Sequence, residues 1–297
     1  MKTDFAIIGG SYAGLSAALQ LARARRQVLV VDAGQRRNRF VDEADGESHG
    51  FLTQDGRAPA AIAAEARRQL LRYPTVHWLE GLADQARTRD DGRFEFRVGA
   101  LTVDAGRLIL ATGVRDELPP VPGLAERWGR SVFHCPYCHG YEMDAGRIGI
   151  IASSAMAQHH GLMLPDWGSP TLFLNGAFTP SDEELDALAR RGTVVEPTPI
   201  VRIEGLADVV LQDGRRLSMN GLFTQPRTSP SSPIAAQLGC AMEDGPMGPF
   251  IQVGPTQETS LKNVFACGDA ARAAGNVTLA VADGVMAALG AHRSTMF

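Results

Sequence analysis

At 297 residues, with 44% hydrophobic and 21% charged residues, the chain has an ordinary globular composition and enough length for two domains. A formal net charge of −4 offers nucleic acid no basic field, and no apolar run reaches the ~20 residues of a membrane span. The opening MKTDFAIIGG carries no secretory or transit pattern, so the expectation is a soluble cytoplasmic protein in which thiols stay reduced.

Phe5 to Ile8 is a short apolar run of the kind that forms a buried parallel strand. Gly9-Gly10-Ser11-Tyr12-Ala13-Gly14 follows, Leu15 to Arg25 has amphipathic helical spacing, and Val28 to Val31 is a second apolar strand ending at Asp32. Strand, glycine turn, helix, strand and acid make the βαβ unit that binds a dinucleotide. The helix N-terminus receives the pyrophosphate and the acid accepts from a ribose hydroxyl. Ser11 replaces the middle glycine, and a tight turn in another α/β fold stays open as the alternative.

Two turn-rich stretches come next, Gly34 to Asn38 with Arg37, and Ser48 to Gly56 with His49 and Thr53. They read as ligand-wrapping or simply solvated loops. Pro59 to Tyr73 reads as a helix, and Val76 to Leu82, Phe94 to Val98, Leu101 to Val103 and Leu108 to Leu110 as strands, with Asp90-Asp91-Gly92 as a hairpin turn. Ala111-Thr112-Gly113 closes the last of these, and small residues there let the backbone approach a cofactor.

Pro119, Pro120 and Pro122 mark a crossing between domains, followed directly by His134-Cys135-Pro136-Tyr137-Cys138-His139-Gly140-Tyr141-Glu142. Cys135 and Cys138 can close a disulfide or open to a dithiol with little backbone movement, and His134 and His139 place proton donors beside them. A structural disulfide and a zinc site are the alternatives. The first does not suit a reduced compartment and the second lacks ligands, so a redox dithiol is the favoured reading. Cys240 and Cys267 are isolated and read as small buried residues.

Gly149-Ile150-Ile151 starts a second α/β unit. Ala155 to Leu164 reads as its helix, Thr171 to Leu174 as its next strand, and Ser181 to Arg191 as a helix with a Ser181/Glu184 capping box, ended by Gly192. Val194 to Glu204, Val209 to Gln212 and Arg216 to Leu222 read as strands, and Pro226 to Pro233 as a polar loop returning to the first domain. The last stretch holds a strand, turn and acid at Asn263 to Asp269 and a closing helix from Asn276 to His292.

In this order the pieces resemble the small flavin-dependent thioredoxin reductases, over nearly the whole chain. The resemblance rests on Gly9 to Gly14, Ala111-Thr112-Gly113, Cys135-Pro136-Tyr137-Cys138 and Gly268-Asp269. The run around the cysteines looks like the branch of gliotoxin- and holomycin-type dithiol oxidases. The resemblance implies an α/β protein of two Rossmann-like three-layer domains. The FAD domain is split into 1–114 and 234–297, around an inserted degenerate NAD(P)-type domain at 115–233 that carries the CxxC. It implies FAD held by Gly9, Gly10, Ser11, Ala13, Gly14 and Asp32 at its ADP half. Asp269 after Gly268 would hold the ribityl chain, and the loops with Arg37, Asn38, His49 and Thr53 would close over it. Ala111, Thr112 and Gly113 would lie against it, and Asn276 and Val277 would stand where reductases have an Arg-Gln-Ala run. Cys138 would face the flavin, Cys135 would exchange with substrate, and His139 would stand in for an acid–base carboxylate, with His134 beside the pair. A homodimer is implied as well.

The chain departs from that family at the nicotinamide motif. After Ile151 it reads Ala152-Ser153-Ser154-Ala155-Met156-Ala157, without the expected glycines, and each added Cβ obstructs a pyrophosphate. No arginine lies in Asn175 to Pro180, although only two of the 29 basic residues, Lys2 and Lys262, are lysines. This argues against use of NADPH. The expected activity is oxidation of a dithiol, with electrons passing through FAD to oxygen. The alternatives are a reductase of a thioredoxin-like protein fed by NADPH or ferredoxin, and a non-enzymatic flavin redox sensor. The expected partner is a small-molecule dithiol or a thioredoxin-like protein, with no metal, nucleic acid or membrane.

Overall fold

The computed structural model describes residues 1–44 and 46–297. The chain divides into two compact units, Met1–Arg39 with Pro59–Asp116 and Thr228–Phe297, and Phe40–Ala58 with Glu117–Arg227. The segment Phe40–Ala58, read from sequence as part of the first domain, groups with the second unit. Two contacts tie it there: His49 beside Glu142, and Phe40 against the hydrophobic cluster that holds Trp128.

The first unit is built on a seven-stranded sheet in the order Val76–Glu80, Val28–Asp32, Lys2–Ile8, Leu101–Leu110, Phe94–Val98, Ala83–Thr88, with Val264–Ala266 also paired to Leu101–Leu110. Period-2 alternation sorts the strand residues between two cores. Phe5, Ile7, Val28, Val30, Ile109 and Phe265 face one cluster, and Ala6, Ile8, Leu29, Val31, Leu108 and Leu110 the other. The first cluster includes residues of the helices Tyr12–Arg23 and Val277–Arg293. Ser16 Oγ donates to the Val281 carbonyl at 2.7 Å, joining these two helices.

The two strands read at Leu101 to Val103 and Leu108 to Leu110 are one ten-residue strand, Leu101–Leu110. It changes neighbour on one edge, which hides it in the sequence. Its first half pairs antiparallel with Phe94–Val98 and its last residues pair parallel with Val264–Ala266. A strand not read from sequence, Ala83–Thr88, completes the hairpin around Asp91. The stretch expected as a return loop carries a short strand, Arg227–Pro230, paired with Val114–Glu117.

The second unit holds a five-stranded sheet in the order Val194–Glu196, Ser169–Phe173, Arg147–Ile151, Gly221–Thr224, Val132–Phe133, paired in parallel throughout. A separate antiparallel sheet joins Ile200–Glu204, Asp208–Leu211 and Arg216–Ser218. The run expected as one strand from Val194 to Glu204 breaks at Pro197 and Pro199, which cannot donate to a ladder. Likewise Arg216 to Leu222 is two strands in different sheets. The helix Asp182–Arg190 has the expected capping box, with Ser181 Oγ accepting from the Glu184 N–H and the Glu184 carboxylate accepting from the Ser181 N–H. Among the described residues no helix is long and apolar enough to cross a membrane.

Candidate active site

The dithiol lies in the second unit, just past the strand Val132–Phe133. Cys135 has extended backbone and caps a single helical turn, Pro136–His139. Pro136 sits at the first helical position, where its fixed φ suits the turn and its missing N–H costs nothing. The Cys138 and His139 N–H groups both donate to the Cys135 carbonyl at 3.2 Å. Cys135 at the N-cap and Cys138 at the third helical position are thus held within one turn of each other. Both are half-buried. Tyr137 between them is 76% exposed and meets Trp167 edge-on, with ring centroids 5.3 Å apart.

His139 stacks flat on Phe133, with centroids 4.1 Å apart and an interplanar angle of 10°. Its Nε2 is buried and has no hydrogen-bond partner among the described residues. Burial, and then repulsion from His49, push its pKa down to about 4, so the ring is neutral at pH 7. His134 lies against Trp128, centroids 6.1 Å apart. His49 and Thr53, assigned from sequence to the cofactor loops, belong to the second unit. His49 Nε2 is 3.4 Å from Glu142 Oε1, and its ring is 6.4 Å from that of His139.

A second constellation lies in the first unit, at the C-terminal ends of the strands Lys2–Ile8, Val28–Asp32, Leu101–Leu110 and Val264–Ala266. Gly9 and Gly14 are required by close approach. A Cβ on Gly9 would lie 2.2 Å from the Ala111 carbonyl oxygen, and one on Gly14 would lie 1.8 Å from that of Gly9. The Gly10 N–H donates to Asp32 Oδ1 at 3.1 Å, fixing the acid over the turn. Ser11 is the N-cap of Tyr12–Arg23 but makes no side-chain cap bond, which leaves a helix N-terminus suited to an anion. Ala13 approaches Gly268, the start of the turn that carries Asp269.

Arg37 links this constellation to Asp116 and Asp269, with Nη1 2.9 Å from Asp269 Oδ2. Burial alone would weaken its charge, but the two carboxylates outweigh that and hold the guanidinium protonated. Asn38 donates to the Tyr12 hydroxyl at 3.2 Å. Thr112 accepts from Ser231 Oγ, and Gly113 adopts φ +65°. Asn276 spends its side chain capping Val277–Arg293, accepting from the Leu279 N–H at 2.8 Å. The sequence reading missed Asp116, whose pairing with Arg37 spans 79 residues and leaves no local signal.

The residues fit FAD. The cradle at Gly9 and Gly14 is one that a Cβ would fill, a helix N-terminus stands over it, and Asp32 and Asp269 are half-buried acceptors at strand ends. Gly9, Gly10, Ser11, Gly14 and Asp32 would hold the ADP half, and Asp269 the ribityl chain. The corresponding place in the second unit is different. After Arg147–Ile151 the turn reads Ala152-Ser153-Ser154-Ala155-Met156-Ala157, with side chains where the first unit has Gly9, Gly10 and Gly14, and Ser153 Oγ donates to the Gln225 carbonyl at 2.6 Å. Past the next strand, Asn175 Oδ1 accepts from the Ile200 N–H at 2.9 Å, an internal bond that occupies this acceptor.

Comparison with known proteins agrees with this geometry. The family described as Pyridine nucleotide-disulphide oxidoreductase matches residues 3–162. Thioredoxin reductase sirT of Leptosphaeria maculans is 34% identical over 97% of this chain and 93% of its own. Thioredoxin reductase tcpT of Claviceps purpurea is 34% identical over 96% of this chain and 91% of its own. The crystal structure of an oxidoreductase from Agrobacterium tumefaciens is 57% identical, superposes with a TM-score of 0.96, and covers 100% of this chain and 99% of that one. The chain therefore belongs to the pyridine nucleotide-disulphide oxidoreductase family, as a thioredoxin reductase-like, flavin-dependent oxidoreductase.

Proposed function

We propose that the protein oxidises a small-molecule dithiol to its disulfide without NADPH. The observation that carries this reading is the pairing, in one unit, of an intact Cys135–Cys138 turn with a strand–turn–helix whose nucleotide-binding glycines are replaced by Ala152, Ser154 and Ala157.

A substrate thiolate attacks Sγ of Cys135 in the enzyme disulfide, the Cys135–Cys138 bond breaks, and Cys138 leaves as thiolate. The second substrate thiolate displaces Cys135, closing the product disulfide and leaving the enzyme as dithiol. Bound FAD supplies the two-electron sink that returns the pair to its disulfide, with oxygen as final acceptor. The two protons of the substrate dithiol end on the enzyme dithiol and leave with its electron pair, so that oxygen is reduced to hydrogen peroxide and no proton is released overall. His139, neutral and with a bare nitrogen, can relay a proton between a substrate thiol and a leaving thiolate, and because burial makes it a weak base it holds that proton only in passing.

Anaerobic titration with dithiothreitol is expected to bleach the flavin absorbance, and air to restore it, while NADPH leaves the spectrum flat. Bleaching by NADPH with an unchanged spectrum in dithiothreitol overturns the reading. A second reading, reduction of a thioredoxin-like protein, draws on the names of the fungal relatives and on Tyr137 and Tyr141, 76% and 87% exposed beside the thiols. Steady-state turnover with thioredoxin and either NADPH or reduced ferredoxin separates it from the first.

A further inference from the structure

Neither Glu142 nor Asp55 has a role in the chemistry so far, and His49 is separated from the CxxC by more than eighty residues of sequence. The fold brings all of them to one place. His49 Nε2 is 3.4 Å from Glu142 Oε1 and its Nδ1 is 3.8 Å from Asp55 Oδ1. The His49 ring meets His139 edge-on, at 89° and 6.4 Å between centroids. His139 is the inner member of the pair, fixed against Phe133 with its Nε2 fully buried.

Exposure rises in order along this row. The His139 Nε2 is sealed, the His49 side chain is 20% exposed and that of Glu142 38%. The row thus runs from the residue next to Cys138 out to water. His49 also lies close enough to His139 to be, after burial, the second cause that pushes His139 down to about 4.

We propose that His49, oriented by Glu142, is the proton carrier that connects His139, and through it the Cys135–Cys138 pair, to solvent. The inference rests on the reading of that pair as the redox centre. When a thiol ionises, its S–H bond breaks, the electron pair stays on sulfur and the proton moves to His139. His139 then hands the proton outward to His49, whose own ring proton passes to Glu142 or to water. Return of a proton to a leaving thiolate follows the same row inward. His49 acts through His139 and is therefore a positioning residue. Asp55, Glu142 and His139 are the titratable groups found beside it, and Cys135 and Cys138 precede His139 on its own turn.

The test uses the full-length flavoprotein with two readouts that a scaffold role would not move together. One is the rate at which dithiothreitol reduces the Cys135–Cys138 disulfide, followed by acid quench and thiol labelling. The other is the titration midpoint of His139 followed by NMR. In His49→Gln the exchange rate is expected to fall about tenfold. The His139 midpoint is expected to rise at the same time, because the repelling neighbour is gone. A stronger base with slower exchange is the signature of a lost carrier. In His49→Ala the exchange rate is expected to recover several-fold in imidazole buffer.

An exchange rate in His49→Gln equal to that of the native protein, an unmoved His139 midpoint, or a His49→Ala defect that imidazole leaves untouched overturns the proposal. Should both His49 variants unfold, Glu142→Gln carries the test. It is expected to slow exchange about threefold, and an unchanged rate overturns the proposal. None of these measurements uses NADPH or oxygen. A protein that proves to be NADPH-dependent, with exchange still sensitive to His49, sinks the oxidase reading and leaves the proton carrier standing.

Discussion

Arg37 holds Asp116 in a two-pronged grip, with Nε 3.0 Å from Oδ2 and Nη2 2.6 Å from Oδ1. The Asp116 side chain is 6% exposed and that of Arg37 21%, so neither charge is well solvated without the other. Planar, paired donors are what arginine offers and lysine does not. The third donor on Asp269 ties the same guanidinium to the carboxylate expected at the ribityl chain. One arginine thus organises two acids from distant parts of the first unit.

Removing that arginine strands a buried carboxylate. Arg37→Ala is expected to cost about 2–4 kcal/mol in chemical denaturation, at the lower end because Arg37 is partly solvated. Arg37→Lys is expected to recover only part of this. In a double-mutant cycle with Asp116→Ala the coupling should exceed about 1 kcal/mol, and a coupling near zero would show the grip to be incidental. Arg37→Ala is also expected to retain less flavin after gel filtration than the native protein.

The glycine turn gives a sharper contrast. Gly14→Ala would put a Cβ 1.8 Å from the Gly9 carbonyl oxygen, a collision with backbone that no rotamer relieves. At Gly113 a Cβ meets no protein atom within 4 Å, and the penalty within the chain itself is φ +65°. Gly14→Ala is therefore expected to abolish flavin retention and lower stability by more than about 3 kcal/mol. Gly113→Ala should cost about 1 kcal/mol and keep its colour. The ratio of flavin to protein absorbance, with a thermal melt, checks both.

What the sequence revealed follows from how local each feature is. The turn from Gly9 to Gly14, the capping box at Ser181 and the Cys135–Cys138 spacing are encoded within a few residues. The structure uses each as a strand-to-helix turn, a helix start and a one-turn helix. Leu101–Leu110 was divided because its polar middle, Asp104 to Arg107, looks like a loop until both its neighbours are known. The meeting of His49 with Glu142 and His139 was invisible for the same reason. Nothing in the composition of Ser48 to Gly56 says which unit the segment joins. Ionic contacts between distant residues carry no periodicity, whereas cores and caps do.

His160 makes stability depend on pH. It is 4% exposed in the helix Ala157–Met163, and its Nδ1 has no hydrogen-bond partner among the described residues. Burial, followed by repulsion from His159, pushes it from 6.5 to about 4. Between those values the unfolded chain binds the proton and the folded one does not, so stability rises with pH. Its contribution is fully present above pH 6.5, falls as pH drops toward 4, and is lost by about 3 kcal/mol there. His139 adds a term of the same sign. Urea unfolding at several pH values should show this slope, and His160→Leu should flatten it. A variant whose slope matches that of the native protein rules out His160 as the cause.

Thiol reactivity should divide the cysteines in half. Burial, reinforced by the nearby Asp283 carboxylate, raises the Cys267 thiol far above its usual range, and burial raises Cys240 despite a weak contact with Thr259. Thiols raised in this way are nearly devoid of thiolate at pH 8 and shielded from reagent. Cys135 and Cys138 are half-buried on an accessible turn. Iodoacetamide added to the native, reduced protein is therefore expected to label Cys135 and Cys138 within minutes, and to reach Cys240 and Cys267 only after denaturant. Arg272 holds the buried Asp283 carboxylate through Nε at 2.7 Å and Nη2 at 3.1 Å. Arg272→Ala strands that charge beside Cys267 and should loosen the surrounding helix enough to admit reagent. Rapid labelling of Cys267 in the native protein would mean that this core opens far more readily than its packing allows.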